Sequence, residues 1–307
     1  MITTVSRTEW LAQHRTVRTL FHNVANGRRV LDAANIWPEA ALLEDCDKHQ
    51  REMWAKATAN TVGILGGSPG TGKTYTVAQG IKALINTGIV SSLDIGIGAP
   101  TGKAAVRLTE LLQSAGLTNL RARTWHSLLG LGKGEQEFAH NRRNPLTYRV
   151  LIGDESPMLD TNMMRSIFAA RPRGCHFLLV GDINQLPPVG HGAPLRDLIA
   201  AGLPYGELTE IKRNSGGIVE VCAAIRDGQP WMTGDNLKLI PTTSPEDQID
   251  AVKTVLGRSE ASGRNAIWDC QVLVAVNEKS KLGRKNLNKI LQEYLNPNGR
   301  GQPGCTF

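Results

Sequence analysis

Cysteine is sparse and scattered in this sequence. The five residues, Cys46, Cys175, Cys222, Cys270 and Cys305, include no C-x-x-C pair. That spacing argues against a zinc site or a disulfide framework and suits a reducing, cytoplasmic compartment. No apolar run approaches membrane-spanning length, and the N-terminus lacks the apolar core of a signal peptide, so no membrane partner is expected. Internal repeats and low-complexity tracts are missing too. What the chain has is length and positive charge. Its 307 residues suffice for two or three domains with their own cores, and its formal charge of +7 is compatible with a polyanionic partner.

The stretch Thr61 to Gln79, TVGILGGSPGTGKTYTVAQ, organises the rest. A short apolar run from Thr61 to Leu65 reads as a buried strand. Gly67-Ser68-Pro69-Gly70-Thr71-Gly72-Lys73-Thr74 then fits G-x-x-x-x-G-K-[ST] at every fixed position. A helix follows, with Val77, Ile81, Leu84 and Ile85 on one face and Gly88 as its stop. Strand, glycine loop and helix in that order form a phosphate-binding loop. Its backbone N–H groups converge on phosphate oxygens, and the helix N-terminus adds positive partial charge. Lys73 is placed to reach the phosphates of ATP and Thr74 to hold Mg²⁺.

Upstream, residues 1–43 are basic, and Val17, Leu20, Phe21 and Val24 recur at helical spacing, so a small helical cap is expected. Asp47 to Ala57 reads as another helix, which carries Gln50. Downstream, Ser92 to Ala99 is a strand, and Pro100-Thr101-Gly102-Lys103 follows it. This is no second phosphate loop, because Ala104 cannot ligate Mg²⁺, but it repeats the strand-to-helix geometry that suits a phosphodiester. Thr124-Trp125-His126-Ser127 precedes two leucines, which favours Trp125 as a core residue. The segment 130–147, with Lys133, His140, Arg142 and Arg143, is either a plain surface loop or a small hairpin.

Two further strands end in polar residues. Tyr148 to Ile152 leads into Asp154-Glu155, and Cys175 to Val180 leads into GDINQLPP. Ligands bind outside the carboxyl ends of strands in open α/β sheets. Beside a phosphate loop, Asp154 can hold Mg²⁺ and Glu155 can polarise an attacking water. Gln185 can bond a γ-phosphate oxygen or that water. Arg213, after a short strand ending near Leu208, is a candidate transition-state clamp or simply an exposed arginine. A helix opens at Ser244-Pro245, Gln271 to Val276 reads as a strand, and Leu287, Ile290, Leu291 and Tyr294 mark a last amphipathic helix.

Taken together, GGSPGTGKT, APTGKAA, TWHSLLG, DESPMLD, LVGDINQLPPVG and LTEIKRN occur in that order. The chain resembles superfamily 1 DNA helicases of the RecD-like, 5′→3′ branch from about Gln50 to Pro297. The resemblance implies an α/β P-loop NTPase fold: a RecA-like parallel sheet flanked by helices over 44–205, with a small duplex-splitting pin at 130–147. A partial second RecA-like domain is implied over 206–307. It implies Gln50 at the adenine edge, and Gly67, Pro69, Gly70, Thr71, Gly72, Lys73 and Thr74 around the phosphates. Asp154 and Glu155 become the metal and water residues, and Gln185 and Arg213 reach the γ-phosphate. Pro100, Thr101, Lys103, Thr124 and His126 lie along single-stranded DNA. The implied activity is ATP-driven movement on single strands and unwinding of 5′-tailed duplexes. A DNA-stimulated ATPase that never unwinds and a small-molecule phosphotransferase are the competing readings.

Pro157 stands where the family has Ser, and Gly153 interrupts a strand end that is otherwise apolar. The family's last two motifs do not occur before Phe307. A truncated product or one piece of a split enzyme is therefore expected, with a protein partner completing the second domain. Such a chain is expected to bind ATP–Mg²⁺, hydrolyse it slowly and leave duplexes intact.

Overall fold

The computed structural model describes residues 34–132, 137–212, 217–230 and 237–296. The expected N-terminal helix, Lys133, Arg213 and the tail from 297 onward lie outside the described residues. The chain divides into two units, Met1–Asn214 and Ser215–Phe307.

Within the first unit, helix α1 (Lys48–Ala57) leads into strand β1 (Val62–Gly67) and helix α2 (Lys73–Asn86). Strand β2 (Ile95–Ala99), helix α3 (Gly102–Ser114), strand β3 (Ala122–Thr124) and the short helix α4 (Trp125–Leu128) follow. Strand β4 (Val150–Gly153), helix α5 (Thr161–Ala170), strand β5 (His176–Gly181), helix α6 (Pro194–Ala200) and strand β6 (Tyr205–Leu208) complete it. The strands form one six-stranded sheet in the order β3-β2-β4-β5-β1-β6. Every pairing is parallel, as Ile64 beside Leu179 and Ile97 beside Ile152 illustrate.

A parallel sheet must be covered on both faces, so its strands read as continuous apolar runs. Every residue of β1, β2, β4 and β5 is buried. One face packs Trp54 of α1, Ile81 and Leu84 of α2, and Leu108 and Leu112 of α3 against Leu65, Ile152 and Val180. The other packs Trp125, Leu128, Ile167, Phe168, Leu195 and Leu198 against Ile64, Leu151 and Phe177. Trp125 is fully buried, as its sequence neighbourhood predicts. This is the expected RecA-like P-loop α/β fold. The switch in strand order between β1 and β2 gathers the carboxyl ends of β1, β4 and β5 beside one another.

Three details differ from the sequence-based expectations. β6 pairs with β1, from Ile64–Tyr205 to Gly67–Leu208, so the first unit runs past residue 205. The segment 130–147 shows no strand pair among its described residues. It closes on itself instead, with the N–H of His140 donating to the carbonyl of Leu129 (2.9 Å) and that of Ala139 to Gly130 (3.3 Å). In the second unit, helix α7 (Gly217–Arg226) forms where no helix was expected, helices α8 (Pro245–Ala261) and α9 (Arg284–Leu295) form as the pattern requires, and Gln271 to Val276 is not a strand. No described strand lies alongside it to complete a ladder, and Leu273 is largely exposed. Ser244 caps α8 by accepting from the N–H of Asp247, with Pro245 at the first position.

His176 opens β5 in a fully buried position. Its Nε2 accepts a hydrogen bond from the N–H of Ile36 (3.0 Å), and its ring meets Trp37 edge-on at 5.6 Å. Burial, with Arg171 and Arg149 nearby, pushes its pKa from 6.5 down to about 4. The folded state thus holds the imidazole neutral while the unfolded chain protonates it near 6.5. This contribution is fully present above pH 6.5 and is lost as pH falls toward 4, at a cost on the order of 2 kcal/mol. Denaturant titrations from pH 7 to 4 are expected to show that loss in the parent chain and a flatter profile in His176→Gln.

Candidate nucleotide site

The phosphate loop leaves β1 at Gly67 and enters α2 at Lys73. Gly70 and Gly72 carry it through left-handed backbone, with φ of 82° and 84°, which side chains with a Cβ resist. Gly72 is the N-cap of α2 and offers no side chain to it. The helix's leading N–H groups therefore have no side-chain cap at this end. Thr71, buried, donates its hydroxyl to the carbonyl of Ser68 (2.8 Å) and braces the loop from within. Thr74 follows Lys73 in the first turn of α2 and is half-buried.

Lys73 folds back under the loop. Its ammonium donates to the carbonyls of Gly67 (2.5 Å) and Ser68 (3.0 Å). Burial lowers its pKa, and the charges of Asp182, Glu155 and Asp154 oppose that, in decreasing order. Asp154 and Glu155 after β4 and Asp182 after β5 thus all favour the charge of this one cation. Asp154 extends the β4 ladder, its N–H donating to Gly98 of β2 (3.0 Å). Burial, with the charge of Glu155 beside it, raises its pKa to about 6. Glu155 has φ 48°, in the left-handed region where a non-glycine residue is strained. The strain coincides with a predicted catalytic position.

The two family departures fit locally. Pro157 enters a 3-10 turn, Ser156–Met158, and packs on Gly181, where a Cβ would lie 2.2 Å from the proline ring. At Gly153, a Cβ would lie 3.1–3.3 Å from Trp125, Ser156 and Phe177, tighter than most real contacts.

Asp182 is the residue that motif reading passed over. It is buried, and it ranks first among the charges that support Lys73. The signal was available: it is the first acidic residue after the apolar run of β5. Tyr205 was also missed. Its ring covers Gly66, where a Cβ would lie 2.5 Å away, and burial together with Glu207 raises its pKa.

Gln50 does reach the loop. Its Nε2 stands 2.8 Å from where a Cβ on Gly72 would be. A reciprocal capping box fixes it: the N–H of Gln50 donates to Asp47 Oδ1 (2.8 Å), and the N–H of Asp47 donates to Gln50 Oε1 (3.1 Å). Gln185 lies in the wall of a groove of about 640 Å³ that also holds Pro100, Trp125 and His126, and its N–H donates to the carbonyl of Asp182 (3.1 Å). Ala99 pairs with Thr124 across β2 and β3, so Pro100, Thr101, Lys103, Thr124 and His126 come together at one end of the sheet. Thr101 and Thr124 are helix caps there, accepting from the N–H of Ala104 and of Ser127, both at 3.2 Å. Lys103 and His126 are exposed.

The donors near Lys73 that could hold a metal are oxygens alone: the Thr74 hydroxyl and the carboxylates of Asp154 and Asp182. Hard oxygen donors suit Mg²⁺ and disfavour softer metals. No group of three or more His, Cys, Asp or Glu residues forms a metal cage among the described residues. Nor, among the described residues, is any helix long and apolar enough to cross a membrane.

Comparison with known proteins agrees with this geometry. Residues 50–191 match a family described as an AAA domain. The ATP-dependent RecD2 DNA helicase of Deinococcus radiodurans is 37% identical over 253 residues, covering 79% of this chain and 33% of the relative. The RecBCD enzyme subunit RecD of Mycolicibacterium smegmatis is 37% identical over 199 residues, covering 59% of this chain and 36% of that one. The ATP-dependent DNA helicase dda of Enterobacteria phage T4 is 30% identical over 186 residues, covering 54% of this chain and 38% of that one. The chain spans about a third of the length of the curated relatives it matches. Over the matched spans it is similar to the RecD-like branch of the superfamily 1 DNA helicases.

Proposed function

We propose that this chain carries the ATPase machinery of a DNA translocase and helicase that hydrolyses ATP with Mg²⁺ and moves 5′→3′ on single-stranded DNA. The observation that carries this reading is the phosphate loop, closed by Lys73 on its own carbonyls, standing at the carboxyl ends of parallel strands whose neighbours end in Asp154-Glu155 and Asp182. Lys73 binds the β- and γ-phosphates, giving up its two carbonyl partners for phosphate oxygens. Thr74 and Asp154 hold Mg²⁺, which supplies charge neutralisation at the phosphates. Glu155 orients and deprotonates the attacking water. Gln50 reads the adenine edge, and Gln185 links the γ-phosphate end to the groove that it lines with His126. Arg213 completes the set as the γ-phosphate arginine, on the strength of the resemblance.

Pro100, Thr101, Lys103, Thr124 and His126 form the contact for the DNA backbone. Both threonine caps sit at helix N-termini, where backbone N–H groups and an exposed lysine favour phosphate. The proposed substrates are single strands and 5′-tailed duplexes in a cytoplasmic setting. A protein partner that completes the second domain belongs to the same reading, since a RecD relative is named as a subunit of the RecBCD enzyme.

Two measurements test it. Glu155→Gln is expected to keep nucleotide binding and to lose about a hundredfold or more of its turnover, since an amide cannot act as base. Lys73→Ala is expected to weaken binding itself. Parental hydrolysis by the Glu155 variant would remove that residue from the chemistry.

Single-stranded DNA is expected to stimulate hydrolysis, and binding of unrelated oligonucleotides is expected to weaken steeply with salt through counterion release. Salt-independent affinity, or hydrolysis indifferent to single strands, would defeat the DNA reading. Strand displacement on a 5′-tailed duplex separates a helicase from an ATPase that never unwinds.

A further inference from the structure

After β6 ends at Leu208, the chain runs back across the mouth of the phosphate loop before it leaves the first unit. Two hydrogen bonds donated by its backbone N–H groups hold it there. The N–H of Thr209 donates to His49 Nε2 (3.0 Å), and the N–H of Lys212 donates to the carbonyl of Gly70 (2.9 Å). The Lys212 side chain adds a third tie. Its ammonium lies 2.6 Å from Asp47 Oδ2 and 2.6 Å from Glu210 Oε2. Its stem passes the start of α2, with Cγ 3.9 Å from where a Cβ on Gly72 would be, on the same glycine that Gln50 covers.

The charge arrangement says what this lysine does not do. Two carboxylates share one ammonium, so the cluster carries a net negative charge and repels phosphate. Lys73, with its carbonyl partners, is the phosphate ligand. Asp47 instead has a divided role: one oxygen caps the helix at Gln50 and the other binds Lys212. The Lys212 hydrogen bond holds the Asp47 carboxyl below its ordinary range, and Asp47 raises the Lys212 ammonium in return.

We propose that Lys212 is a positioning residue for the nucleoside end of the site: by bridging Asp47 and Glu210, it clasps the exit chain to the helix that presents Gln50. The inference rests on the nucleotide reading above. It predicts a selective defect. Loss of the clasp loosens Gln50 and the exit chain, and the phosphate cradle of Lys73 and the loop glycines is untouched.

The test uses calorimetric titration of the full chain with MgATP and, separately, with magnesium tripolyphosphate, which lacks the nucleoside. Asp47→Asn keeps a competent helix cap and removes the ion pair; Lys212→Met removes it from the other side. Each is expected to weaken MgATP binding about threefold to fivefold, as partly exposed pairs do. The double variant is expected to be no weaker than either single one, because both remove one interaction. Lys212→Arg is expected to restore affinity to within about twofold, and tripolyphosphate affinity is expected to stay at the parental value in all four. Parental MgATP affinity in both single variants, additive losses, or an equal loss of tripolyphosphate binding would overturn the clasp. An unmodified chain that binds neither ligand would overturn the nucleotide reading, and the clasp with it.

Discussion

A lysine ammonium withdrawn from water needs oxygen around it, and the site follows from how this chain supplies that oxygen. Lys73 takes two carbonyls from its own loop, and the charges of Asp182, Glu155 and Asp154, at the ends of two other strands, favour its protonated form. Burial and the neighbouring Glu155 push Asp154 up to about 6. In the proposed reading a nucleotide would offer phosphate to Lys73 in place of the carbonyls, and its cation would neutralise Asp154. Buried charges that are costly alone become complementary to a ligand bearing both signs.

The parallel sheet makes this convergence possible. Only in such a sheet do successive strands deliver their carboxyl ends to the same edge, and only with both faces covered can the strands be wholly apolar. The chain meets both conditions with glycines where helices and strands crowd together. Gly80 of α2 lies under Trp54 so closely that a Cβ would stand 2.1 Å from the indole. That contact seats α1, and with it Gln50, against the helix that begins at the phosphate loop.

Much of this was legible in the sequence because its signals are local. The phosphate loop, the acidic pair, the caps of α1 and α8 and the buried strands each depend on residues a few positions apart. The unread parts depend on pairings over long distances. Asp182 becomes a partner of Lys73 only because β5 lies beside β1, and Lys212 meets Asp47 only because β6 lies on the far side of β1. The segment from Gln271 to Val276 is the opposite case. Its β-branched residues satisfy a strand's local preference, but a strand is made by its partner, and no described strand flanks it.

The same long-range packing ties the two ends of the proposed machinery together. Trp125 opens α4 directly after Thr124, and its indole lies over Gly98 and Gly153, where Cβ atoms would stand 2.4 Å and 3.1 Å from it. Gly98 also accepts the hydrogen bond from the N–H of Asp154. The ring is fully buried, meets Phe177 edge-on, and stands as a wedge between α4 and the backbone that carries the acidic pair. His126 and Thr124, at the proposed DNA-facing end, are next to that wedge in sequence. Asp154 and Glu155, at the nucleotide end, follow the glycine on which it rests. Displacement of α4 must therefore either turn the indole or shift the strand ends, and close packing with glycine on both strands leaves little slack for the first.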